Sequence, residues 1–253
     1  MSKSSMINNH VFPWKEPFSI KQTNIKAPNE FEQTALSLLI ILVFIGFTLF
    51  YTNISSYRAY SGEDGVIEWL TVIVLFCSAD ISFKRIIRLR SQRNIRFLVF
   101  LFLTALLFCF GVGEEISWGQ RIFGIESPDF FVNYNSQKEI NIHNLFLYNI
   151  RINKVVFSLF LGIVIGLYLL ILPAMYKKNA NIKSFVDSIA VPVPRNYHIV
   201  SYAVFALLIK AVHIADNWEF LEMTGSFIFF LIILNPLNRE IFIPDNKGGS
   251  CYR

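Results

Sequence analysis

Residues 97–121 read FLVFLFLTALLFCFGVGEEISWGQR. The first 17 of them, 97–113, carry no charge. A spanning helix needs roughly 20 mostly apolar residues, so this run with its flanks has membrane length. It stops at two adjacent carboxylates, Glu114 and Glu115. Charges at the end of such a helix are costly unless they are paired, hydrated or bound to a cation.

Five other stretches have the same apolar character: 34–51, 66–83, 155–176, 198–215 and 220–237. The pattern predicts an all-α fold, a polytopic transmembrane bundle of about six spans. A five-span arrangement with one re-entrant segment is the alternative. The last two spans are separated by a few residues and should form a tight helical hairpin. Residues 1–33 form a polar arm and 238–253 a polar tail. Between them, 34–237 is the transmembrane domain, with a cap loop at 122–154. That loop is rich in Phe, Tyr, Ile and Asn, which argues for a folded cap on the outer face.

Composition agrees. Of 253 residues, 54% are hydrophobic and 16% charged, and the mean hydropathy is +0.47. Soluble domains carry about 25% charged residues. The net charge of +5 comes from basic residues clustered in short loops, which is a membrane pattern and not a nucleic-acid one. Cys77, Cys109 and Cys251 form no CxxC and suggest neither a zinc finger nor a disulfide framework. The polar N-terminal arm lacks the apolar core of a cleaved signal peptide.

Loop charges set an orientation. Lys84, Arg85, Arg88, Arg90, Arg93 and Arg96 follow the second span, and Lys177, Lys178, Lys183 and Arg195 follow the fourth. The arm and tail are also basic, whereas the loop after the first span has only Arg58. The positive-inside rule then makes both termini cytosolic. Glu63-Asp64-Gly65 with Glu68, the Glu114–Arg121 motif, Asn141-Ile142-His143-Asn144, and His213 to Glu222 all fall on the extracytoplasmic side.

Several residue types there can carry chemistry. On a helix, Glu114, Trp118 and Arg121 share one face, and Glu115 points about 100° away. An Arg121–Glu114 pair is the simplest structural account. A close carboxylate pair otherwise suits metal ligation or general base work. His143 is a candidate ligand or proton shuttle, with Asn141 and Asn144 beside it as turn-capping groups. His213, Asp216 and Asn217 are spaced to face one site, and Lys210 lies one turn inward, needing an acid such as Glu68 or Glu114. Glu219 is explained by the helix macrodipole, while Glu222 sits deeper and is not. Asp64 reads as a helix cap, Glu68 as a group in need of a partner, and Asp80 as an i, i+4 partner of Lys84. His10 and His198 carry no signal. Walker A, GxSxG, HExxH and Rossmann motifs are absent.

The set EDGxxE from Glu63, GEEISWGQR from Gly113 and NxQxExNxHN from Asn135 resembles an uncharacterised family of bacterial multi-pass membrane proteins. That resemblance implies topology and a bacterial inner or plasma membrane, not mechanism. A second similarity is to the CAAX-protease-like intramembrane proteases. Glu114-Glu115 matches their paired acids, but Arg121 lies two residues late. Glu139 stands where a Phe precedes the His, and His213-x-x-x-Asn217 matches. This similarity implies a Glu-activated water with His and Asn stabilising the oxyanion.

The function expected is a membrane hydrolase or transferase acting on a lipid or lipid-linked substrate. Glu114, Glu115, His143 and His213 are the catalytic candidates. Arg121, Asn144 and Lys210 would bind substrate, and Glu68, Asn217 and Glu222 would support. A divalent metal such as zinc would sit among Glu114, His143, His213 and Asp216. The alternative is non-enzymatic: a cation-coupled carrier or an accessory subunit with a structural polar cluster.

Overall fold

The structure is a computed structural model describing residues 27–147, 150–152, 160–212 and 218–245. It is all-α apart from one minimal hairpin. The first helices are α1 (Glu30–Thr52), α2 (Ile54–Ser61), α3 (Val66–Leu89) and α4 (Ile95–Glu115). The cap region holds α5 (Gln120–Phe123), α6 (Asp129–Tyr134), and β1 (Phe146–Leu147) paired antiparallel with β2 (Ile150–Arg151). Then come α7 (Leu161–Gly166), a π-turn, α8 (Leu172–Lys178), α9 (Ala180–Ser188), α10 (Asn196–Ala211) and α11 (Trp218–Leu234).

Four helical units are long and apolar enough to cross a membrane: Glu30–Thr52, Ile54–Leu89, Ile95–Glu115 and Leu161–Lys178. The predicted boundaries shift in places. α1 begins at Glu30, inside the expected polar arm, because Asn29 and Glu32 close a reciprocal capping box. α3 runs past its apolar stretch to Leu89. α10 has 16 residues and α11 has 17, so both are short for free-standing spans.

α11 compensates by being central. Phe220, Met223, Ile228, Leu231 and Ile232 are fully buried among Leu39, Val43, Ile67 and Ile209 from α1, α3 and α10. An apolar-all-round helix belongs in such a position. α1 approaches α11 through Gly46, where any Cβ would run into the Phe220 ring. α3 packs along α4 and α11 and buries the small residues Ser78, Ala79 and Ser82, with Ala79 against Phe108 and Ile233. Ser78 and Ser82 donate to the carbonyls of Val74 and Ser78, so their hydroxyls are satisfied in an apolar setting. Outward-facing Phe44, Phe76, Leu107, Val200 and Leu207 are each more than half exposed. Apolar surface on that scale fits lipid better than water.

The bundle has two chemically distinct ends. At one end the α3–α4 loop, the α8–α10 segment, the start of α1 and the chain after α11 are joined. Arg93 donates to the Ile241 carbonyl and pairs with Asp245, Arg195 donates to the Asn235 and Pro236 carbonyls, and Asn238 bridges Val191 and Asp187. The basic loops therefore do lie together. Here also Glu32, fully buried, accepts from Tyr197 Oη at 2.6 Å and from Asn235 Nδ2, with His198 Nε2 3.4 Å away. His198 thus belongs to a buried polar network that its sequence context does not signal. The other end gathers the acids and the cap.

Candidate functional site

α4 ends at Glu115, and the chain beyond it leaves the helical path. Ser117, Trp118 and Gly119 have φ of 47°, 54° and 80°. Three successive left-handed residues, two of them bearing a Cβ, cost on the order of 1–2 kcal/mol each for the non-glycines. Hydrogen bonds hold them there. Trp118 Nε1 donates to Glu114 Oε1 at 2.9 Å, and its ring lies against Gly113. Ser117 Oγ donates to Glu139, and Asn141 Nδ2 donates to Ser117 Oγ.

Glu114 is the hub of this corner and is almost fully buried. Its Oε2 accepts the backbone N–H of Ile142 at 2.7 Å and of His143 at 3.0 Å, and stands 3.4 Å from His143 Nδ1. Asn144 Nδ2 donates to His143 Nε2 at 2.9 Å, which fits an imidazole protonated on Nδ1. The cap loop is locked further by Asn135, whose amide donates to the backbone and side-chain oxygens of Asn141. Gln120 accepts the Ile140 N–H at 2.7 Å and donates to Ser127 at 2.5 Å. The cap sequence 135–144 is thus fastened to the end of α4 mainly through Glu114, Ser117, Gln120 and Arg121.

The left-handed turn also redirects Arg121. A continuous helix would pair it with Glu114. Instead its Nη2 meets Glu68 Oε1 at 2.5 Å, Nε meets Asp64 at 3.3 Å, and Nη1 meets Glu139 at 3.4 Å. Burial opposes the guanidinium charge, but the hydrogen bond and charge of Glu68, then the charges of Glu139 and Asp64, outweigh it and hold the Arg121 pKa above its usual value. Arg121 is therefore an internal counter-ion, already saturated with carboxylates, and not an open anion receptor. Asp64 differs from its expected role too. Gly65 is the N-cap of α3, and the Asp64 N–H donates to Glu68 Oε2 at 2.5 Å.

Glu115 goes elsewhere. Its carboxylate, with those of Glu219 and Glu222, offers oxygens that all lie within 4.8 Å of one another. These acids come from α4 and from the first two turns of α11. Together with Glu63, Glu68 and Glu139 they line a cavity of about 20 Å³, which also holds Arg121 and His143. Six carboxylates thus face one guanidinium and one imidazole. Glu219, explained from sequence by the helix dipole alone, is part of this trio. Its i, i+3 spacing to Glu222 was the signal that could have found it.

Not every expected residue converges. His213, Asp216 and Asn217 lie outside the described residues. Lys210 is exposed, with Nζ 5.8 Å from the Trp218 ring, while Glu68 is engaged by Arg121 and Glu114 by the cap loop. Asp80 and Lys84 do pair, at 2.6 Å, as their spacing predicts. No protein-family model, curated protein or solved structure matches the chain.

Proposed function

We propose that the chain is a multi-pass cell-membrane protein with six crossings and both termini cytosolic. Its extracytoplasmic cavity would carry out hydrolysis or group transfer on a lipid or lipid-linked substrate. The observation that carries this reading is the meeting of Glu115, Glu219 and Glu222 from two helices at one end of the bundle. Carboxylates this close repel one another, and a shared proton or a bound cation relieves the repulsion.

An all-oxygen set suits a hard divalent cation such as Mg²⁺, Mn²⁺ or Ca²⁺ better than zinc. The proposed ligand set is Glu115, Glu219 and Glu222, in place of Glu114 and His143. When bound, such a cation would polarise a substrate oxygen or lower the pKa of a water. Glu115 is the trio member that α4 contributes, beside the cap corner. His143, oriented by Glu114 and Asn144, is placed to carry a proton at the cavity rim. Glu114 and Arg121 position the wall and do not react.

The carrier alternative loses support from the interior. Among the described residues, Ile67, Phe205, Ile209, Phe220, Met223 and Ile228 form an apolar cluster in the bundle, a setting that disfavours a passing cation. The test is untargeted lipid analysis after incubating purified protein, with Mn²⁺ or Mg²⁺, in membrane lipid extract. Wild-type protein should convert at least one lipid class, and folded Glu115→Gln protein should convert none. Identical lipid profiles with the two proteins would refute the enzymatic reading.

A further inference from the structure

A second crevice lies beside the acidic cavity, between the outer end of α3 and the α4–α5 corner. Trp69, Val72 and Ile122 form its apolar walls, and Asp64, Glu68 and Arg121 form its polar end. It encloses only about 10 Å³, so a ligand would lie along it and not inside it. Trp69, Ile73 and Phe76 follow one another at i, i+4 and i+7 on α3, each well exposed. An apolar stripe therefore leaves the crevice and continues down the outward face of a membrane-length helix. At its other end, Glu68 and Arg121 line both the crevice and the acidic cavity. Their ion pair is the partition between the two.

The order of surfaces is apolar stripe, ion pair, acidic cavity. An amphiphile has the same order, from chain to head. We propose that this crevice is a lateral lipid-binding groove. It would seat an outer-leaflet aminophospholipid with its chain on Trp69, Ile73 and Ile122 and its head at the Glu68–Arg121 partition. Charge complementarity selects the head. Six cavity carboxylates face a single guanidinium, and they remain in excess with one divalent cation bound. An ammonium-bearing head is attracted there and a purely anionic head is repelled. This inference rests on the proposed function for its substrate class, but lipid occupancy can be read without turnover.

The experiment uses full-length protein in vesicles of equal phosphatidylethanolamine and phosphatidylglycerol. One lipid at a time carries a trace of acyl-chain diazirine, and adducts are mapped by mass spectrometry. With the phosphatidylethanolamine probe, adducts at Trp69, Ile73 and Ile122 should exceed those at the α4 controls Leu103 and Leu107 by at least about threefold. With the phosphatidylglycerol probe they should fall to the control level. Crevice labelling no denser than on α4, equal labelling by both probes, or a second copy of the chain cross-linked over the stripe would each overturn the proposal. Glu115→Gln leaves five carboxylates facing the guanidinium, so the Trp69, Ile73 and Ile122 adducts should stay above the α4 controls while lipid conversion is lost. Loss of lipid conversion with an intact map separates failure of catalysis from failure of binding, and a blank crevice in an active protein removes the groove alone.

Discussion

Glu114 and Glu115 are neighbours with opposite fates. Glu114 accepts two backbone N–H groups and one indole N–H, so it acts as the anion around which the cap folds. Glu114→Gln should cost on the order of 2–4 kcal/mol, because buried donors lose a charged acceptor. A lowered detergent melting temperature and faster proteolysis within 135–144 would show it. Glu115→Gln removes one of three mutually repelling carboxylates and should leave the melting temperature unchanged or raised. Equal destabilisation by the two substitutions would contradict this division of labour.

The 100° offset between helix neighbours is enough to send Glu114 and Glu115 to different faces. The left-handed turn at Ser117 and Trp118 is not legible in the sequence, since positive φ at such residues is decided by tertiary hydrogen bonds. That turn is why Arg121 serves Glu68, Asp64 and Glu139 instead of Glu114. Gly119, at φ +80°, is where the turn most needs a residue without a Cβ. Gly119→Ala should cost about 1 kcal/mol, read as a lowered detergent melting temperature.

At the scale of elements, α1 is fixed to the bundle at two points. Near mid-helix, Gly46 sits under Phe220, whose ring also stacks on Tyr57 at 6.3 Å. Gly46→Ala should destabilise by about 1–3 kcal/mol through overpacking. Phe220→Leu in the same chain should recover part of that loss, a coupling that a double-mutant cycle measures. Near the basic end, Glu32 ties α1 to Tyr197, His198 and Asn235. Apolar periodicity located most of these helices to within a few residues. It missed the Glu32 cluster because Glu32 lies 165 residues or more from each of these partners. Nothing local distinguishes Glu32 from an acid in an ordinary first turn.

Across the whole molecule, the clearest legible feature was sidedness. Loop charges alone divided basic from acidic segments, and the fold brings each class to its own end. How the acidic segments face one another was not legible, because spacing within α11 and at the end of α4 says nothing of their mutual distance. The topology itself is testable with an impermeant thiol reagent on intact cells, using a chain with Cys77, Cys109 and Cys251 replaced by Ala. Lys138→Cys in the cap should label from outside, and Ser91→Cys in the α3–α4 loop should not.

Glu115, Glu219 and Glu222 are proposed to form a cation-binding centre at the outer face. Titration of purified protein with Mn²⁺, followed by electron paramagnetic resonance, tests it most directly. One ion should bind per chain, weakened at least about tenfold, or some 1.4 kcal/mol, by Glu115→Gln or Glu222→Gln and unaffected by Lys84→Ala. No saturable site, or one that both Gln variants leave intact, would contradict it.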